Sequence, residues 1–159
     1  MMTNALQITT PKENEVVMTR VFNAPRPLVF DCWTKPELVK RWMLGPDGWT
    51  FAVCEIDLRV GGGYRFVWRN PDGAVMGMRG TYREIAAPER LVDAQLFDED
   101  WTGGETIATV VLTQHEHATT ANSTIRYASQ AARDAALATG MAVGLAAGYD
   151  RLDVILATS

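Results

Sequence analysis

Hydrophobic positions along the chain change period twice. Glu15–Phe22 (EVVMTRVF) reads as a first strand, and Asn23-Ala-Pro-Arg-Pro27 breaks it, because two prolines cannot continue a ladder yet suit a helix start. Val29, Phe30 and Trp33 then share one face, which predicts a short helix over Leu28–Trp33. Thr34 is the expected N-cap of a second short helix with Leu38 and Trp42 as its i, i+4 pair, and Gly45-Pro-Asp-Gly48 ends it. From Trp49 the pattern alternates: Cys54, Ile56 and Leu58 against Glu55, Asp57 and Arg59. After the turn Gly61–Gly63, Tyr64, Phe66 and Trp68 fall on one face of the next strand, and after Asn70-Pro-Asp-Gly73 so do Met76, Met78, Gly80 and Tyr82. Further strands fit Arg90–Phe97, Thr106–Gln114 and Thr119–Tyr127, which makes six consecutive strands on short turns, an antiparallel meander.

The period then returns to 3.6. Ser129 is placed to cap a helix from Gln130 to about Leu156, with Leu137, Met141, Gly144, Leu145, Gly148, Leu152 and Ile155 on one arc and Asp150 and Asp153 facing away. A strand, two short helices, a meander and a long amphipathic helix predict an α+β fold in which a curved antiparallel sheet wraps around the C-terminal helix. The expected organisation is a flexible N-terminal tail over 1–14 and a single domain over 15–157.

Composition narrows the partners. The chain has 159 residues, a net charge of −4 and no long basic run, so the electrostatic footprint of a nucleic-acid binder is missing. No apolar run approaches membrane-spanning length, and Met1–Glu15 lacks both the basic start and the apolar core of a secretion signal, so a cytoplasmic protein is expected. Cys32 and Cys54 are far apart and outside any Cys-x-x-Cys pattern; both are expected as free thiols with no catalytic role.

The strongest candidate for function is an internal cavity. Its walls would be the aromatic and methionine stripe Tyr64, Phe66, Trp68, Met76, Met78 and Tyr82, flanked by Trp33 and Trp42 of the short helices. Facing them, Met141, Gly144, Leu145 and Gly148 lie on the long helix, where each glycine lowers helix stability by about 1 kcal/mol relative to Ala. Leaving side chains out of that arc makes room for a ligand; the alternative is close helix–sheet packing against the glycines. Tyr82, Gln95 and Ser123 are the polar groups that would orient the ligand, whereas Asp93 is expected near a rim, because burying an unpaired carboxylate is costly. No residue pair has the pattern of a general acid and base, so no catalytic residue is assigned. His115 and His117 fall between two strands without a third ligand, and Asp98-Glu-Asp100 lacks the spacing of a calcium loop. No metal and no cofactor are expected.

Several segments together carry a family resemblance. Phe22–Leu38 (FNAPRPLVFDCWTKPEL), Arg41–Trp49 (RWMLGPDGW), Asp57–Gly62 (DLRVGG), Gly80–Ile85 (GTYREI), Pro88–Leu91 (PERL), Leu137–Met141 (LATGM) and Asp150–Leu152 (DRL) resemble the activator-of-heat-shock-chaperone-ATPase homologue family of the SRPBCC, or START-like, superfamily. The resemblance spans nearly the whole chain, from about Val16 to Leu156. It implies a helix-grip fold with an internal pocket. Relatives in the superfamily bind lipids, sterols, hormones or polyketides, and some act as cyclases or hydrolases; the co-chaperones that gave the family its name dock on a heat-shock ATPase. The expected partner is therefore a small apolar or amphipathic molecule, with a homodimer or a chaperone of the stress response as further partners the resemblance leaves open.

Overall fold

The computed structural model of the chain describes residues 5–45, 47–99 and 103–158. Two strands, β1 (Gln7–Thr9) and β2 (Glu15–Phe22), lead into helices α1 (Arg26–Thr34) and α2 (Pro36–Trp42). Six strands follow: β3 (Thr50–Ile56), β4 (Gly63–Arg69), β5 (Val75–Ala86), β6 (Arg90–Phe97), β7 (Thr106–His115) and β8 (Ala118–Arg126). Helices α3 (Gln130–Ala138) and α4 (Met141–Ala157) close the chain. All eight strands join one antiparallel sheet in the order β1-β2-β8-β7-β6-β5-β4-β3, so the meander is completed by β2 pairing with β8. The predicted curved sheet gripping a C-terminal helix is the observed architecture. A register shift between Tyr82 and Glu84 on β5 adds a bend where the sheet turns towards β6.

Strict alternation sets which side chains meet the helices. In β2 every second residue, Val16, Met18, Arg20 and Phe22, is buried, and in β4 the same is true of Tyr64, Phe66 and Trp68. Helix α4 lies along this inward face beside β2, and packs against α1 and α2. Trp42 is held there by its indole N–H, which donates to the Cys32 carbonyl at 2.7 Å, and its ring stacks on Tyr149 of α4 at 5.8 Å. Trp33 meets both rings, at 4.8 Å and 6.1 Å. Each such aromatic pair adds roughly 0.5–1.5 kcal/mol beyond its area burial, so this knot ties the short helices to α4.

Four sequence expectations are corrected. Part of the expected tail is structured: Gln7–Thr9 adds an edge strand on β2. Thr34 does not cap α2; it is the last residue of α1, its hydroxyl donates to the Phe30 carbonyl, and Lys35 occupies the cap position ahead of Pro36. The single long helix is two. Ser129 does cap its start, accepting from the Ala132 N–H at 3.1 Å, but Gly140 sits at φ +80° and ends α3. A left-handed residue terminates the i→i−4 ladder, and glycine adopts that conformation without a Cβ penalty. Finally, Asp150 and Asp153, expected to face away from the apolar arc, both reach back to Arg20 on β2.

Candidate functional site

On the sheet's inward face one row begins with two polar groups. Cross-strand pairing sets Tyr82 on β5 opposite Asp93 on β6, Asp93 opposite Ala108 on β7, and Ala108 opposite Ile125 on β8. One row further towards the β6 C-terminus, Tyr64 pairs with Gly80 and Gly80 with Gln95. Gly80 is what makes the site possible. A Cβ there would lie 2.2 Å from Cζ of Tyr64, so only glycine lets the phenol ring lie flat across β5. The ring thereby spans from β4 towards β6, and its hydroxyl donates a short hydrogen bond to Oδ2 of Asp93.

Asp93 is thus a buried carboxylate, 6% exposed, and the expectation that it lies at a rim is corrected. It is tolerated there because Tyr64 and Gln95 both hydrogen-bond to it, which lowers the cost of the charge. Desolvation still wins over those bonds and lifts its pKa to about 6. The same burial, reinforced by the neighbouring carboxylate, raises the Tyr64 phenol well above its ordinary range and the Tyr82 phenol with it, so both are proton donors at neutral pH. The Tyr64 ring also stacks on Phe66 at 4.4 Å and lies 5.7 Å from Tyr82, so the carboxylate sits beside a continuous aromatic wall.

Two apolar clusters flank this row. The larger contains Trp33, Trp42, Tyr64, Phe66, Trp68, Met78, Tyr82, Leu91, Val110 and Tyr149; the smaller joins Val16, Met18, Tyr127 and Ala136, with Met141 and Leu145 of α4 packed on it. Ala108, opposite Asp93 in the row, is buried. The nearby Ser123 is buried too and meets the Tyr149 hydroxyl of α4 at 3.3 Å.

Of the residues expected to line a cavity, Tyr64, Phe66, Trp68, Met78, Tyr82, Trp33 and Trp42 therefore fall in one cluster, Met141 and Leu145 beside the other, and Gln95 and Ser123 on the polar strip. Two do not fit. Met76 is 41% exposed, because it pairs with Trp68 near the open β4–β5 hairpin. Gly148 serves close packing: a Cβ there would come within 3.0 Å of the Trp42 carbonyl oxygen. Gly144 is buried on the same helix. A separate shallow recess of about 360 Å³ lies over Glu55, Asp57, Gly63 and Arg65 and shares only Tyr64 with the expected set.

The second buried charge on the inward face is Arg20. Its side chain is 5% exposed and makes ion pairs with Asp150, at 2.9 Å, and with Asp153, both on α4. Its guanidinium also lies 5.6 Å from the centre of the Phe22 ring, within cation–π reach. Elsewhere, Cys32 and Cys54 are free, and burial raises the Cys32 thiol to about 11. His115 ends β7 and Ala118 begins β8, so His117 lies in the intervening turn. Asp98 of the acidic loop pairs with Arg65 at 2.7 Å, while Asp100 lies outside the described residues.

A curved sheet that closes on a C-terminal helix around a polar strip defines a helix-grip protein. Within that class, the chain belongs to the family described as Activator of Hsp90 ATPase homolog 1-like protein, whose model matches residues 23–157. A crystal structure of a Rhodobacter sphaeroides protein is similar over 98% of this chain and 99% of its own, with 33% identity and a TM-score of 0.91. A Nitrosomonas europaea protein, 22% identical, covers 94% of this chain and 97% of its own with a TM-score of 0.82, and an Arthrobacter aurescens protein, 24% identical, covers 96% and 92% with a TM-score of 0.84. These two share the fold. No curated protein matches the chain.

Proposed function

We propose that the protein binds a small, largely apolar molecule between the sheet and α4, over the strip formed by Tyr64, Asp93, Gln95, Ala108 and Ser123. One observation carries this reading: a hydrogen-bonded carboxylate is buried on the sheet's inward face beside the aromatic rings of Tyr64, Phe66 and Tyr82, with the small side chain of Ala108 opposite it. A few convergent polar groups on an otherwise apolar concave wall are what a small-molecule site requires. Packing alone would be better served by apolar side chains, since a buried charge weakens a core.

Native mass spectrometry of freshly purified protein tests it, together with displacement of an apolar reporter dye. A retained small molecule, or saturable dye binding lost in Ala108→Trp while the fold persists, is the expected result. Dye binding unaffected by that substitution would overturn it. Enzymatic use of the same place is a second reading, favoured by the Tyr64–Asp93 hydrogen bond, since a carboxyl group titrating near 6 can exchange protons at neutral pH. It requires that Asp93→Asn abolish turnover while leaving binding intact. A cytoplasmic location belongs to the same proposal; two free thiols support it, and no described helix is long and apolar enough to cross a membrane.

A further inference from the structure

We propose that the ligand of the internal site is an organic cation, an ammonium group on an apolar body, seated against Asp93 beside the cluster of Tyr64, Phe66 and Tyr82. This rests on the ligand-binding reading above and names the chemistry of its head group. The starting point is a charge imbalance. Asp93 is buried, and among the described residues no Lys or Arg forms an ion pair with it. The groups that act on it are Tyr64 from β4 and Gln95 from its own strand, with the Tyr82 phenol of β5 close by and Cys54 of β3 behind Tyr82. All of these are neutral at physiological pH. Elsewhere on the inward face, Ser123 of β8 and Tyr149 of α4 hydrogen-bond to each other and add no charge. Among the described residues the other buried charged side chains are Arg20 on β2, held by Asp150 and Asp153, and Arg133 on α3, paired with Asp134.

A desolvated carboxylate without a countercharge attracts a cation far more strongly than an exposed one does, because water does not screen it. The walls favour the same kind of ligand. Tyr64, Phe66 and Tyr82 pack into one aromatic cluster beside the carboxylate, and aromatic rings attract an ammonium through the ring quadrupole. A carboxylate ligand would meet like charge, and an alcohol would supply a hydrogen bond without the countercharge. Ionisation of Asp93 near pH 6 then links binding to pH: an amine remains charged throughout, so its advantage disappears as the site protonates.

The test compares octylamine, octanol and octanoate by calorimetry and tryptophan fluorescence at pH 7.5 and pH 5.0, with wild-type protein and Asp93→Asn. Octylamine is expected to bind at least tenfold more tightly than octanol at pH 7.5, with octanoate weakest. That preference should shrink to threefold or less at pH 5.0 and in Asp93→Asn, whose folding is checked by thermal unfolding. If Asp93→Asn does not fold, the wild-type pH profile alone decides. Equal binding of octanol and octylamine at pH 7.5 would overturn the cation proposal and leave the cavity reading standing. Failure of all three probes to bind would overturn both. An amine preference that persists at pH 5.0, or in Asp93→Asn, would also overturn the proposal, because a chain of net charge −4 attracts any cation weakly.

Discussion

Arg20 and Asp93 are both charges buried on the inward face of one sheet, and they are treated in opposite ways. Arg20, on β2, is met by two carboxylates from α4, so its charge is balanced within the fold. Asp93, three strands away on β6, is met by a phenol and an amide, which hydrogen-bond to it but leave its charge standing. A balanced buried ion holds elements in register. An unbalanced one is kept at a cost to stability, and such costs concentrate where a protein does something other than fold. On the proposed reading, the helix side of the grip is the structural half and the β4–β6 side the working half.

The largest expected effect breaks the balanced side. Asp150→Asn with Asp153→Asn strands the Arg20 guanidinium in a buried site, and urea unfolding should show a loss of about 3–5 kcal/mol. A loss below about 1 kcal/mol would mean that Arg20 escapes to solvent, and the contrast with Asp93 would fail. Next comes Gly80→Ala, which places a methyl where the Tyr64 ring lies and removes the phenol from Asp93. About 3 kcal/mol should be lost, and Asp93 should titrate higher, since its charged form loses a donor.

Asp93→Asn should do the reverse. Burial raises this carboxyl from 3.8 to about 6, so the folded state binds its proton more tightly than the unfolded chain does. Its charge therefore destabilises the fold progressively as pH rises from 4 through 6. Asp93→Asn removes that penalty and should stabilise the protein by about 3 kcal/mol at pH 7.5, with no gain near pH 4. Equal effects at both pH values would show that the carboxylate is not desolvated. The smallest effect concerns the contact of α2 with α4. In Gly148→Ala, better helix propensity is worth about 1 kcal/mol, but the methyl presses on the Trp42 carbonyl, and a net loss of about 1 kcal/mol in thermal unfolding is expected.

The fold was legible because it rests on periodicity: β2 and β4 alternate strictly, and β7 and β8 do so until their last residues, while in β6 Ala94 is buried out of phase. What failed were features that depend on single backbone angles or on partners distant in sequence. Gly140 sits within an apolar 3.6-residue pattern, and nothing in that pattern distinguishes a tolerated helical glycine from one at φ +80°. Gly148 looked like room for a ligand, yet its neighbour is a carbonyl more than a hundred residues earlier in the chain. Asp93 was set at a rim by the correct principle that unpaired carboxylates avoid burial. Its partner Tyr64 was visible only as an aromatic, because the reach of its hydroxyl depends on Gly80 in the strand between. A glycine facing a tyrosine on the next strand, with Asp on the strand beyond, was the signal available. Arg20 could have been read from its place in the buried alternation Val16, Met18, Arg20, Phe22, which demands an acidic partner from the packing helix.

The unbalanced charge at Asp93 is tested most directly by NMR titration of its side-chain carboxyl carbon, in free protein and in protein saturated with octylamine. In the free protein the resonance is expected to titrate near pH 6, and with the amine bound its midpoint should fall by at least one unit, because a cation favours the ionised form. A midpoint near 4 in the free protein, unchanged by the amine, would contradict both the desolvated carboxylate and the cation it is proposed to bind.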